Sequence, residues 1–199
     1  YDLLKNHPVN QKRVQEGKRP ANSIWLWGEG MRPRLDSFQN KFGLKGSVVS
    51  AVDLIKGIGL CAQMHSCDVE GATGYIDTNF QGKMEAALQE LERGQDFVYI
   101  HVEAPDEMGH QGSVKDKIKA IEYIDAQIIG PVSERIKETG EEFRMLVLPD
   151  HPTPIRLRTH TGDPVPYLLY DSTRQVKGEE TYCEKTAGQT GIFQENGHE

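Results

Sequence analysis

In residues 97–110 the chain reads FVYIHVEAPDEMGH, and the fold prediction starts from this stretch. Its first part, Phe97–Ala104, is an apolar run rich in β-branched and aromatic residues, which is typical of a buried strand. A helix start follows, and Asp106 and His110 lie four residues apart in it. One helical turn would place this carboxylate and this imidazole on the same side. The stretch therefore predicts a strand that delivers an acid and a histidine to one edge of a sheet.

Strand-like runs and segments of helical spacing alternate along the rest of the chain. The predicted strands are Ser23–Trp27, Gly46–Val52, Phe97–Ala104, Phe143–Leu148 and Pro166–Tyr170. Apolar residues recur at helical intervals over 54–61, over 84–91 after an N-cap at Asp77 or Thr78, and over Asp116–Thr139, which Pro131 should kink. This alternation predicts a layered α/β fold with a largely parallel sheet flanked by helices.

The two ends of the chain differ in composition. Basic pairs and a Gly/Arg/Pro stretch at 28–34 mark the N-terminal region, and a regular strand–helix rhythm begins only near Leu44. We therefore expect two regions, 1–44 and 45–199. The polar tail after Ser172 is expected to be a surface excursion.

Composition excludes several classes of function. The chain has 199 residues and a net charge of −7, whereas a protein that neutralises many nucleic-acid phosphates should be basic. Apolar runs are no longer than a strand, so we expect no membrane partner. The three cysteines are odd in number and form no CxxC pair, which favours a reduced, cytoplasmic setting. Neither a P-loop nor a Gly-x-Ser-x-Gly elbow is present.

Two further polar clusters follow predicted strands. Asp150 and His151 come directly after Arg144–Leu148, and His160 follows in the sequence RTHT. Ligands of open α/β sheets bind beyond the carboxyl ends of the strands, where these clusters should meet Asp106 and His110. Each cluster alone could be a surface turn, but three at strand ends favour a metal site. Carboxylates with imidazoles suit Mn²⁺ or Zn²⁺ better than Ca²⁺, and five candidate ligands suggest two ions.

Five stretches in this order carry a resemblance to a known family: VDLIKGIG at 52–59, GATGYIDTN at 71–79, HVEAPDEMGH at 101–110, DHPTP at 150–154 and THT at 159–161. They resemble the archaeal-type, 2,3-bisphosphoglycerate-independent phosphoglycerate mutases of the alkaline-phosphatase-like metalloenzymes. The resemblance covers residues 21–170 and implies an alkaline-phosphatase-like α/β fold.

The resemblance also implies a ligand set. Asp106, His110 and His160 would bind one divalent ion, and Asp150 and His151 would bind a second. The family completes the second site with an Asp and a nucleophilic Ser near its N-terminus, and nothing in this chain matches them. The chain therefore looks like the C-terminal part of such an enzyme, with residues 1–44 as the end of an inserted substrate domain and its hinge. The N-terminal strands and most of the inserted domain would be missing.

The substrate implied by the resemblance is phosphoglycerate, a small phosphorylated acid. Arg32 and Arg34 would grip its phosphate or carboxylate, and Lys56 would lie near a phosphoserine intermediate. The ions would be Mn²⁺ or Zn²⁺, with Mg²⁺ and Co²⁺ as alternatives. In this scheme phosphate moves from 3-phosphoglycerate to the Ser and back to the other hydroxyl, a step of glycolysis and gluconeogenesis. With no catalytic Ser of its own, the chain alone is expected to be inactive.

Two other functions remain open at the sequence level. A metal-dependent phosphohydrolase or phosphotransferase, including a homoserine-kinase-like enzyme, would share every metal ligand and differ in its substrate domain. A non-catalytic, metal-stabilised module would bind metal without turnover. His101 and Glu103, on one face of the predicted strand, could support the metal ligands or simply be satisfied core residues. The oligomeric state is left open.

Overall fold

A computed structural model describes residues 1–26, 28–174 and 176–197 of the chain. Its contacts divide the chain into two compact units, Tyr1–Arg34 and Leu35–Glu199. The division into 1–44 and 45–199 expected from composition stays a prediction. Within the described residues, no helix combines the length and the apolar character needed to cross a bilayer.

The first unit contains two short helices, α1 (Asp2–Lys5) and α2 (Pro8–Gln15). The buried side chain of Asn10 joins them to the following segment, because its amide donates to the carbonyl oxygens of Leu4 and Ala21. The strand predicted at Ser23–Trp27 is wrong for residues 23–26, and Trp27 lies outside the described residues. A strand needs a hydrogen-bonded neighbour, and the described part of this unit offers none.

The second unit holds the other elements. They are α3 (Phe38–Phe42), β1 (Gly46–Val49), α4 (Asp53–Cys61), β2 (His65–Cys67), α5 (Phe80–Glu92), β3 (Phe97–Ile100), α6 (Ala104–Gln111), α7 (Val114–Ile124), a π-helical segment (Asp125–Ile129), α8 (Gly130–Thr139), β4 (Arg144–Val147), β5 (Leu168–Asp171) and α9 (Glu184–Gln189).

Three of the strands form a parallel sheet in the order β2-β1-β3, and β4 and β5 form an antiparallel pair. The register of the parallel sheet places Ser47 beside both His65 and Val98. The predicted layered α/β fold with a parallel sheet is therefore confirmed. Four of the five predicted strands are present but shorter, and β2, a polar His-Ser-Cys segment without an apolar run, was not predicted.

Burial of the strands is uneven. All four residues of β1 are buried, as expected for a strand with a neighbour on each side. The prediction that Phe97–Ala104 is a buried strand is wrong in part, because Phe97 and Tyr99 are exposed on β3, and Leu146 is exposed on β4 as well. Each of these strands pairs on one side only among the described residues, so its other edge is open.

Helix boundaries also depart from the predictions. The N-cap of α5 is Asn79 rather than Asp77 or Thr78, because its side-chain oxygen accepts a hydrogen bond from Gly82 N at 2.8 Å. The predicted helix Asp116–Thr139 is interrupted by the π-helical segment, which ends two residues before Pro131. Proline has no N–H to donate, and the wider turn precedes the position where that donor is missing.

The main core lies around α5. Phe80, Met84 and Leu88 from this helix form a buried cluster with residues of α6, α7, the π-helical segment and α8: Ala104, Ala120, Ile128 and Val132. A second cluster joins β1, β2 and α5 through Val49, Cys67 and Ala87. Packing on both sides of α5 fixes β3 and α6, and thus the loop between them that leads to Asp106.

Candidate metal centre

Asp106 and His110 lie on α6, which begins just after β3. Pro105 occupies the first turn of this helix, where a missing N–H costs nothing. His110 Nε2 lies 3.3 Å from Asp106 Oδ2, one helical turn away. The sequence expectation that the two side chains share one side of a helix is met by this geometry.

His160 reaches the same place from a distant part of the sequence. Its Nε2 atom lies 3.3 Å from Asp106 Oδ1 and 3.0 Å from His110 Nε2. The loop that carries it is tied back to the segment that follows β4, because Thr161 N donates to Pro152 O at 3.1 Å. Asp106, His110 and His160 therefore form one cluster of donor atoms.

The other nitrogen of His110 shows how the ring is oriented. Its Nδ1 lies 2.9 Å from the carbonyl oxygen of Arg158. A carbonyl oxygen only accepts, so Nδ1 carries the proton, and a neutral His110 has its lone pair on Nε2, facing Asp106 and His160. This arrangement, a ring N–H on a backbone carbonyl and a free nitrogen towards other donors, is common in metal-binding histidines.

Asp150 and His151 adjoin the same cluster. His151, Asp106 and His160 offer ligand atoms that all lie within 4.8 Å of one another, and the rings of His151 and His160 are 3.8 Å apart between centroids. Asp150 Oδ2 lies 3.5 Å from His151 Nε2, and its side chain is mostly exposed. The structure thus brings all five predicted ligands into one continuous group. Their division between two ions stays a prediction.

Thr153 is a buried member of this group that the sequence did not reveal. Its hydroxyl donates to Asp106 Oδ1 and lies 3.4 Å from His151 Nδ1. Its backbone oxygen accepts from Lys117 Nζ at 2.7 Å. Thr153 therefore fixes the orientation of the Asp106 carboxylate. The only sequence signal was its place between two prolines, Pro152 and Pro154, in a cluster already singled out.

The donor set fits a divalent metal ion. Carboxylate oxygens and imidazole nitrogens are the ligands that Mn²⁺, Zn²⁺ and related ions accept. Asp106 is oriented by a hydroxyl and His110 by a carbonyl, so both side chains have the kind of supporting partner that metal ligands commonly have. The side chains of His110 and His160 are partly exposed, so an ion can enter from solvent.

A layer of ionisable groups lies beneath the cluster, at the end of β3. Burial lowers the pKa of His101, whose Nδ1 lies 3.2 Å from Ser50 Oγ. Burial, followed by the neighbouring carboxylates of Glu107 and Asp106, raises the pKa of Glu103. Lys83 is fully buried, donates to His101 O at 3.1 Å, and has its pKa lowered by burial to about 8.

The predicted substrate-binding residues lie on α4 and in the first unit. Lys56, on α4, forms an ion pair with Asp68 at 2.7 Å. Arg32 and Arg34 lie in the first unit, where both are exposed and outside any helix or strand. Their roles in binding substrate stay predictions.

Comparison with known proteins defines the class of this fold and site. Residues 5–195 match the Metalloenzyme superfamily, and the chain belongs to that family. Its α/β architecture, with a parallel sheet flanked by helices, is that of the alkaline-phosphatase-like fold.

Individual relatives within the class carry a more specific name. A protein of Geobacter sulfurreducens named a probable 2,3-bisphosphoglycerate-independent phosphoglycerate mutase is 53% identical over 98% of this chain and 49% of its own length. The mutase of Methanosarcina mazei is 54% identical over 84% of this chain and 42% of its own. The chain thus spans about half the length of these relatives.

Solved structures have a similar fold over nearly the whole of this chain. The alignment with a Pyrococcus horikoshii protein covers 94% of this chain and 49% of that protein, at 31% identity and a TM-score of 0.78. The alignment with the cofactor-independent phosphoglycerate mutase of Thermoplasma acidophilum covers 96% of this chain and 44% of that enzyme, at 25% identity and a TM-score of 0.57. The resemblance stated from the sequence motifs is therefore confirmed.

Proposed function

We propose that this chain supplies the metal-binding part of an enzyme that interconverts 3-phosphoglycerate and 2-phosphoglycerate without 2,3-bisphosphoglycerate. The observation that carries the proposal is the convergence of Asp106, His110 and His160, with Asp150 and His151 beside them. The names of the relatives supply the reaction, and this geometry supplies the kind of centre that such a reaction needs.

The five residues are proposed to hold two divalent ions, Mn²⁺ or Zn²⁺ ahead of Mg²⁺ or Co²⁺. When bound, such ions neutralise charge on a transferring phosphoryl group and activate a nucleophile. The chain's own part is to hold the ligands in place. Thr153 orients Asp106 and the Arg158 carbonyl orients His110, so little rearrangement is needed on binding.

Lys56, Arg32 and Arg34 are proposed to bind the anionic substrate. A protein with a net charge of −7 must hold phosphoglycerate through local cations and metal ions, against its overall field. A firm grip on the glycerate keeps it from leaving before phosphate returns, which separates a mutase from a phosphatase. The nucleophilic Ser is proposed to lie outside these 199 residues, and the setting to be cytoplasmic.

A coupled assay for 2-phosphoglycerate formation tests the proposal. It is run with Mn²⁺ and without 2,3-bisphosphoglycerate, on the full-length gene product and on this 199-residue chain. We expect turnover in the long form, none in this chain, and loss of turnover in the long form on Asp106→Asn. Release of inorganic phosphate without isomerisation would contradict the mutase proposal and identify the enzyme as a phosphohydrolase. Turnover in this chain would show that the nucleophile lies within it.

A further inference from the structure

A second cluster of potential metal ligands lies between β2 and α5. His65 and Cys67 are alternate residues of β2, so their side chains leave the strand on the same face. Glu90, from α5, meets them there. One ligand atom of each residue lies within 4.8 Å of the others. His65 Nδ1 is 2.7 Å from Glu90 Oε2 and 3.8 Å from Cys67 Sγ.

Two members of this cluster are buried and one is open to solvent. Cys67 and Glu90 are buried, whereas the side chain of His65 is 55% exposed. His65 also lines a surface cavity of about 270 Å³. Cys67 and Glu90 are thus held in place by the surrounding core, and the exposed imidazole of His65 can turn to admit an ion from solvent.

Hydrogen bonds hold the Glu90 carboxylate with its Oε2 atom facing His65. Arg93 Nη1 donates to Oε1 at 2.8 Å, and Ser47 Oγ donates to Oε2 at 2.7 Å. Oε2 is also the atom that faces His65. The carboxylate is therefore held by partners on two sides, as carboxylates that bind metals commonly are.

Sulfur distinguishes this cluster from the Asp106 group. A thiolate, an imidazole and a carboxylate form a donor set that favours Zn²⁺ over Mg²⁺, Ca²⁺ or Mn²⁺. Thiolate and carboxylate together carry two negative charges, of which the Arg93 guanidinium offsets part at Glu90 Oε1, so a divalent cation is not opposed by excess positive charge. We infer that His65, Cys67 and Glu90 form a zinc site, with water as the fourth ligand, that joins the strand β2 to α5.

Binding at this site replaces hydrogens by the metal. The Cys67 thiol loses its proton to solvent as the Zn–S bond forms. His65 gives up its Nδ1 hydrogen to solvent and carries its single ring hydrogen on the exposed Nε2, so that the lone pair of Nδ1 binds the ion in place of the hydrogen bond to Glu90. The exposed His65 ring moves outward, because a zinc ion needs more room than a hydrogen bond of 2.7 Å allows. The site is independent of the proposed mutase reaction, since it shares no residue with the Asp106 group.

Cobalt provides a direct test, because Co²⁺ bound to a thiolate gives a near-ultraviolet charge-transfer band and Co²⁺ bound only by oxygen and nitrogen does not. The full chain is titrated with Co²⁺ as wild type and as Asp106→Asn, which weakens the other group. We expect the band in both proteins, with the final intensity of one cobalt–thiolate site per chain, and its loss on addition of Zn²⁺. Absence of the band from the wild type would overturn the inference.

Substitutions locate the sulfur. Cys67→Ala should abolish the band, and the matched variant Cys61→Ala, on α4, should keep it. A band that survives in Cys67→Ala would overturn the site. Because Cys67 is buried and its variant could fail to fold, His65→Ala gives a second test at an exposed side chain. We expect His65→Ala to weaken cobalt binding by at least about tenfold, and unchanged binding would contradict the assignment.

Discussion

His110 and His160 are 50 residues apart in the sequence, and their Nε2 atoms lie 3.0 Å apart. His110 Nδ1 donates to Arg158 O, so the neutral ring has its lone pair on Nε2. Both rings also approach the Asp106 carboxylate. Two nitrogens and a carboxylate held this closely form a site for a cation, and the following predictions test how the rest of the chain supports it.

Replacing Thr153 by Val should weaken metal binding without unfolding the chain. Valine keeps the volume but removes the hydroxyl that orients Asp106. Loss of such a supporting partner typically weakens metal affinity by about 10–100-fold. Titration calorimetry with Mn²⁺ measures the effect, and Thr139→Val, at an exposed position ending α8, is the control. Equal affinity in the two variants would show that Thr153 does not position the ligand.

Gly109 should not tolerate a side chain, although it lies in a helix. A Cβ there would come within 2.7 Å of the Thr153 backbone oxygen, so α6 and the Thr153 loop would have to separate. We expect Gly109→Ala to lower the free energy of unfolding by about 1–3 kcal/mol. Gly57→Ala, on α4 with nothing within 4 Å, should raise it by about 0.5–1 kcal/mol. Urea unfolding compares them, and a Gly109→Ala variant as stable as wild type would refute the tight contact.

Lys83 should make stability depend on pH in the alkaline range. Burial lowers its pKa from 10.5 to about 8, so the folded chain loses this proton before the unfolded chain does. Between these values the unfolded state binds more protons, and the free energy of unfolding rises with pH by up to about 1.4 kcal/mol per pH unit. Below pH 8 the full cost of burying the charge is present.

The Lys83→Met variant isolates this contribution. Urea unfolding at several pH values from 7 to 10 gives the difference between wild type and variant. We expect wild type to gain stability relative to the variant as pH rises through about 8. Loss of the bond to His101 O shifts the difference by a constant but not its slope. A difference that stays flat over this range would contradict a lowered pKa for Lys83.

Much of the site could be predicted because its residues follow elements with clear sequence patterns. Asp106 and His110 were placed by a strand, a helix start and the four-residue spacing. Asp150 and His151 follow a strand in the same way. The closeness of His160 depends on a loop without periodicity, and only the family resemblance assigned it to the ion held by Asp106. Thr153 and Lys83 escaped prediction because tertiary contacts, rather than sequence pattern, bury a polar side chain.

The fold shows the same division. Apolar runs predicted β1, β3, β4 and β5. The strand β2 has no such run, because it is formed by His-Ser-Cys and owes its structure to pairing with β1. The segment Ser23–Trp27 had the composition of a strand and, over the described residues 23–26, lacks a strand to pair with. Composition therefore indicates which segments can form strands, and the availability of a neighbour decides which of them do.

The most direct test of the metal centre is Mn²⁺ titration calorimetry on the chain, on Asp106→Asn, and on Glu107→Gln as a matched control on the same helix. Asp106 contacts both His110 and His160, so its loss should weaken binding by at least about 100-fold. Glu107→Gln, with the same change of charge, should bind as the unmodified chain does. Equal Mn²⁺ affinity in Asp106→Asn and the unmodified chain would contradict a metal centre at Asp106, His110 and His160.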